Sequence, residues 1–267
     1  MVVNYNKSKN VMKIFSEPTD WKDLQNKVCL LLQQAGFSAE TEKKVATPRG
    51  EVELDVYAID PNSIDKISYV VECKNWINPI NQSVIHSFMT VMNETGCNIG
   101  YIVSINGFQS GAVKYVDFTN IKLFTFEKLQ EHYYKTWMRN YFSPKVEEII
   151  ERLVNYTEPC NTKRQKTLNE VSDECQEAFY KLFQRYNNLA VLLSMVTGGI
   201  NYMMKVNPMK DYTEFSHWDQ VFSECANLGL DLHGIPLNDT LPLLKDFVDS
   251  ITAEFDALFG KDIFEYV

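Results

Sequence analysis

The chain has six cysteines, Cys29, Cys73, Cys97, Cys160, Cys175 and Cys225, but no Cys-x-x-Cys pair, and its four histidines fall at no zinc-ligand spacing. That argues against a zinc centre and leaves reduced, buried thiols as the expected state. No apolar run approaches the length of a membrane span, and the amino-terminal stretch VVNYNKSKN is polar throughout, not basic and then apolar. A transmembrane segment and a secretory leader are therefore not expected, and the reading is a soluble, cytoplasmic protein. Internal repeats and low-complexity tracts are also missing.

Basic charge is scarce as well. The formal net charge is -9, and residues 1–130 carry 13 Lys and Arg against 14 Asp and Glu, whereas residues 131–267 carry 13 against 21. An acidic second half is poorly suited to gripping a polyanion, so any nucleic-acid contact is expected in the first half. What the chain does have is length and apolar content. At 267 residues and 45% hydrophobic it can bury a sizeable core, as one large domain or two ordinary ones.

Apolar residues at Trp21, Leu24, Val28, Leu31, Leu32 and Ala35 follow three- and four-residue steps, which predicts a helix capped by Thr19 or Asp20 and stopped by Gly36. The stretch FSAETEKKVATPRGEVELDVYAID alternates up to Pro61-Asn62, and KISYVVECKNW is rich in strand formers, so two antiparallel strands joined by a loop near residues 60–66 are expected, within a three-stranded meander or a hairpin. A helix through Val84, Ile85, Phe88, Val91 and Met92, a buried strand NIGYIVS, a short helix over Ser110–Val116 and a strand IKLFTF complete an α/β layer. After about Leu129 only helical spacing remains, through Val146–Val154, Val171–Leu193, Trp218–Cys225 and Leu241–Leu258. A helical bundle over residues 131–267 is the expectation, following an α/β domain over 1–130, with Thr157–Thr167 (TEPCNTKRQKT) as a flexible connection.

The segment VVECKNW, Val70 to Trp76, carries the chemistry. On a strand Glu72 and Lys74 share one face with Val70, while Cys73 points the other way, which makes its thiol a packing group and not a nucleophile. Asp55 and Glu53 share a face of the preceding strand, and if the two strands are neighbours, Asp55, Glu72 and Lys74 converge at one edge of the sheet. Two carboxylates in close approach repel each other, and a hard divalent cation between them turns that repulsion into binding. Mg²⁺ or Mn²⁺ held by Asp55 and Glu72 would polarise a phosphodiester and supply a hydroxide nucleophile, with Lys74 orienting the water. The competing reading is an ordinary exposed Glu72–Lys74 ion pair, worth little and common on edge strands. The flanking apolar run favours an interior strand, where unpaired charge is costly.

In order along the chain, WKDLQNKVCLLLQQAGF, GEVELDVYA, VVECKNW, GYIVS, FQSGAVKYV and IKLFTFEKL resemble the successive motifs of the Mrr-type restriction endonucleases, a branch of the PD-(D/E)xK nuclease superfamily. The resemblance runs from Trp21 to Leu129, rather less than half the chain. It implies a restriction-endonuclease-like α/β core, a central mixed sheet flanked by helices, that cuts DNA with a divalent metal. Asp55, Glu72 and Lys74 fall at the catalytic positions, Asp55 and Glu72 being the metal ligands. One departure stands out: many relatives carry a glutamate in the first helix where this chain has Gln25. Gln25 is therefore a candidate accessory residue that adds no charge, and Glu53 is a candidate substitute for the missing carboxylate. Gln82, near the start of the next helix, is a candidate contact to a phosphate or a base edge; Lys114 and Lys122 are candidate phosphate contacts, and each of these is more often a plain surface residue. His86 reads as a satisfied or partly buried histidine, not a catalytic one.

The acidic helical half shows no motif and no basic recognition helix, so protein contacts, as a homodimer or as a subunit of a larger complex, are expected of it in preference to DNA reading. The functional reading is a metal-dependent endonuclease on double-stranded DNA, in restriction or anti-phage defence. Two alternatives stay open: a repair or junction-resolving nuclease, and a non-catalytic binding module with a relic site.

Overall fold

The first helix, α1 (Trp21–Gln34), begins where Asp20 takes an extended conformation and accepts from the Asp23 amide. Its buried face comprises Leu24, Val28, Leu31 and Leu32, as the spacing predicts, but Trp21 lies exposed at the helix start with the Lys22 ammonium 5.8 Å from its ring. The protein is described by a computed structural model over residues 12–199 and 216–265; the polar amino-terminal stretch lies outside these residues. The chain divides into two compact units, Met1–Tyr141 and Phe142–Val267.

In the first unit, β1 (Ser38–Thr47), β2 (Gly50–Ile59) and β3 (Ser68–Lys74) form an antiparallel meander. The long alternating stretch is thus two strands, folded back at Pro48-Arg49 with Thr47 opposite Gly50. Two parallel strands, β4 (Ile99–Ser104) and β5 (Ile121–Thr125), complete a five-stranded mixed sheet in the order β1-β2-β3-β4-β5. Each parallel step crosses over through a helix, α2 (Gln82–Thr95) and then α3 (Ser110–Tyr115). The edge strand β1 carries Glu40, Glu42, Lys43 and Lys44, charges that discourage further pairing.

Helix α2 packs on one face of the sheet through Ile85, Phe88 and Met92, against Val70, Ile102 and Ile121. The approach is close at Gly100: a Cβ there would stand 2.2 Å from Met92 Sδ and 2.6 Å from a Phe88 ring carbon. Glycine is thus a packing requirement at that point. A fourth helix, α4 (Phe126–Trp137), is tied into the same unit. Trp137 donates its indole N–H to Gln34 Oε1 at 2.6 Å, Asn140 donates to the Ala35 carbonyl at 2.7 Å, and the Tyr101 and Tyr133 hydroxyls meet at 3.1 Å. A boundary at residue 130 would cut this helix in half; these bonds carry the first unit on to Tyr141.

The second unit is all helix among the described residues: α5 (Ser143–Thr157), α6 (Thr162–Leu168), α7 (Asp173–Ser194) with a π-helical turn at Met195–Gly199, α8 (Ser216–Asn227) and α9 (Leu237–Phe259). The aromatic stripes are core: Tyr156 stacks on Phe255 at 4.7 Å, and Phe179 packs against Phe255 at 5.5 Å. The stretch expected to be a flexible connection is instead anchored. Arg164, buried within α6, donates to the carbonyls of Tyr156 at 2.9 Å and Glu158 at 2.5 Å, closing the end of α5. Among the described residues no helix is long and apolar enough to cross a membrane.

Candidate active site

The site lies where β2 and β3 part. Their ladder pairs Val56 with Val71 and ends there; one step beyond stand Asp55 and Glu72. On the other side of β2, the pairing with β1 skips Asp55 and Glu42, and Glu42 takes a left-handed φ of 54°. Strict alternation would place Leu54 on the side of Val71, yet Leu54 packs with Val70 and Ile102 under α2, so the alternation of β2 is reset at Asp55. Asp55 is thereby left free of the ladder and turned toward β3.

Its carboxylate is held at both oxygens. Gln25, on α1, donates Nε2 to Oδ1 at 2.8 Å, and the Cys73 amide donates to Oδ2 at 2.8 Å. Gln25 is 5% exposed and its Oε1 is buried without a hydrogen-bond partner. Glu72 receives the Lys74 ammonium in a direct ion pair, with side chains 29% and 20% exposed. Burial pushes the Glu72 carboxyl above its ordinary range; the hydrogen bond from Lys74 opposes the shift and the charge of Asp55 adds to it. The ion pair of the plainer reading is therefore present, but beside a second carboxylate whose charge it does not neutralise. Cys73 faces the interior, and burial raises its thiol well above the usual range, which suits packing and not nucleophilic attack.

The structure brings together Asp55, Glu72, Lys74 and Gln25. Glu53 is exposed and sits opposite Lys44 on β1, and the reset at Asp55 removes the alternation that would carry it to Asp55's side. Gln82 opens α2, just after the Asn81 cap, and its amide meets His86 Nε2 at 3.2 Å; His86 is exposed and not partly buried, but both its ring nitrogens have partners, the second being the Tyr115 hydroxyl at 3.4 Å, with the two rings 4.3 Å apart. Lys114 and Lys122 are exposed.

Two residues were not singled out from the sequence. Ser104, opposite Lys74 on β4, is fully buried with its hydroxyl unpartnered. Asn106 donates Nδ2 to the Trp76 carbonyl at 2.6 Å, bracing the loop that leaves β3. A hydroxyl closing the apolar run GYIVS, in the strand beside the Glu-x-Lys strand, was the available signal for the first. Nothing local marked the second, because the bond spans thirty residues.

A divalent cation suits this donor set. Two carboxylates lie close enough for one to raise the other, and a buried amide oxygen next to them lacks a partner. Among the described residues no group of three or more His, Cys, Asp or Glu could hold a metal ion, so this site offers two carboxylates and leaves further positions to water and phosphate, the usual manner of Mg²⁺.

Comparison with known proteins agrees in part. The Mrr_cat family model, described as a restriction endonuclease, matches residues 17–133. No curated protein matches in sequence. Among solved structures, one titled as a protein of unknown function, AF1548, aligns over 88% of this chain and 99% of its own at 14% identity, with a TM-score of 0.35. The match falls on the segment that holds the five-stranded sheet and the two carboxylates with their lysine: residues 17–133 are similar to the restriction endonuclease domain of the Mrr family.

Proposed function

We propose that the protein is a divalent-metal-dependent endonuclease that hydrolyses phosphodiester bonds of double-stranded DNA, with Asp55, Glu72 and Lys74 as its catalytic residues. The observation that carries this is the convergence of Asp55 and Glu72 beyond the last paired residues of β2 and β3, with Lys74 against Glu72. Asp55 and Glu72 would hold Mg²⁺ or Mn²⁺, which when bound supplies charge neutralisation at phosphorus and acidifies water. Gln25 and the Cys73 amide fix Asp55 in one orientation, so that its charge is set in place before substrate arrives. The Gln25 amide oxygen remains able to accept from a water molecule. Burial raises the Glu72 carboxyl and the Lys74 hydrogen bond opposes that rise, while the ammonium presents N–H donors to a phosphate oxygen or to the attacking water. Water oxygen bonds to phosphorus, one P–O ester bond breaks, and the departing oxygen takes a proton.

The second unit, acidic and without a DNA-reading motif, fits a role in self-association, docking of another subunit or restraint of the nuclease, in a cytoplasmic restriction or anti-phage system. Light scattering of the full chain reads the oligomeric state.

The test of the nuclease is cleavage of supercoiled plasmid with Mg²⁺ or Mn²⁺, with EDTA and Lys74→Ala as controls, alongside toxicity of the expressed gene in cells. The expected result is metal-dependent nicking or linearisation that Lys74→Ala reduces by about 10²–10⁴-fold. No metal-dependent cleavage, together with equal toxicity of the wild type and Asp55→Ala, overturns it.

A further inference from the structure

The chain leaving β3 carries two apolar side chains out into solvent beside the site: Trp76 is 47% exposed and Ile77 is 91% exposed. Scattered exposed apolar residues need no explanation. These two differ because their loop is braced at both ends. Lys74, at the end of β3, accepts from the Ile105 amide at 3.3 Å, and Asn106 holds the Trp76 carbonyl. At the other end Ile80 is fully buried; its amide donates to the Gly107 carbonyl and its carbonyl accepts from the Gln109 amide, both at 2.9 Å. The indole is thus presented on a fixed support, with the Lys74 ammonium 5.3 Å from its ring centroid.

An ammonium that meets a phosphate brings the adjoining nucleotide within reach of a ring this near. The groups an indole face can take from DNA are the faces of bases, and in an intact duplex those faces are covered by their neighbours. We propose that Trp76 is the stacking surface for an unpaired base next to the scissile phosphate, so that the site takes duplex DNA carrying an unpaired or splayed nucleotide at the cut. This rests on the nuclease reading of Asp55, Glu72 and Lys74. The recognition is by shape and not by sequence, because every base offers a π face. Ile77, next along the exposed turn, supplies an apolar edge against which a displaced nucleotide can lie.

The experiment compares the full-length wild type, Trp76→Ala and Trp76→Phe, using fluorescence anisotropy with a labelled intact duplex and the same duplex bearing one unpaired nucleotide, Ca²⁺ replacing Mg²⁺. The same variants are then assayed for Mg²⁺-dependent cleavage of both DNAs. The expected result is tighter binding of the bulged duplex by wild type, a loss of roughly 5- to 150-fold on that DNA for Trp76→Ala, little change on intact duplex, and retention by Trp76→Phe. Equal affinity of wild type for the two DNAs, or the same loss on both, overturns the stacking role. Trp76-dependent binding without cleavage, together with equal toxicity of the wild type and Asp55→Ala, would leave the stacking surface standing and remove the nuclease; cleavage indifferent to Trp76 would do the reverse; the same lack of cleavage and equal toxicity without binding removes both. Since Trp76 is half exposed, an unchanged melting temperature establishes that the variants are folded.

Discussion

The two units differ in where like charges meet. In the helical unit the partly buried ions are paired with opposite charge, hydroxyl donors or carbonyls even where an arginine Nε is left over: Arg152 bridges Asp256 at 2.5 Å and Asp262 at 3.1 Å, Tyr156 donates to Asp256 at 2.6 Å, Tyr186 donates to Glu254 at 2.6 Å, and Arg164 closes on backbone carbonyls. In the sheet unit, Asp55 and Glu72 stand beside each other with one lysine between two charges, and the oxygen of Gln25 and the hydroxyl of Ser104 have no partner nearby. The first arrangement is what a structure needs to hold itself together. The second costs stability and makes sense where a ligand is to complete it.

Substitutions can break or sharpen that contrast. The largest effect is expected in the helical unit, where Phe255 is fully buried between Tyr156 and Phe179. Phe255→Ala should cost about 3–5 kcal/mol in chemical denaturation of the full chain, and a loss below 1 kcal/mol would mean the aromatic stripe is not the core of that unit. Next comes Gln25→Glu, which replaces the donor to Asp55 by a third carboxylate. In EDTA the variant should lose about 1–3 kcal/mol, and added Mg²⁺ should restore more stability to it than to wild type. Indifference to Mg²⁺ would speak against a cation at this end of the sheet. Gly100→Ala should cost about 1–3 kcal/mol through its collision with Met92 and Phe88, without a change in metal response, which separates packing from site chemistry.

The smallest effect is on Glu72 itself. Its folded carboxyl is raised by burial, so the stability it contributes is present below its unfolded value and is lost as pH rises through the folded value. Carboxyl NMR in chelator should place its midpoint above that of a free glutamate. Lys74→Ala should raise the midpoint further and Asp55→Asn should lower it, because the lysine opposes the shift and the aspartate adds to it. Shifts of the opposite sign would show that the three groups do not face one another.

Much of this was legible along the chain. The cap at Asp20, the stop at Gly96 and the strand VVECK follow from local chemistry, because a side-chain oxygen, a missing Cβ and a run of β-branched residues act within a few positions. The turn at Pro48-Arg49 is marked locally by Pro48 and Gly50, but the alternation that runs on through it reads as continuous. The exposure of Trp21 and the anchoring of Arg164 could not be seen, since both depend on what packs nearby.

The sequence by itself determined which groups are available: a Glu-x-Lys strand end, an aspartate on the preceding strand, and a helix glutamine where the resemblance implies a glutamate. Only the tertiary structure decided how these meet. Side-chain alternation has a period of two and holds only while the ladder holds, and here it is interrupted at Glu42 and Asp55. That interruption sets Asp55 within reach of Gln25 and the Cys73 amide and leaves Glu53 outside with Lys44. The exposed indole beside Lys74 belongs to the same class of fact: its residue type is written in the chain, but its bracing comes from Asn106, thirty residues away.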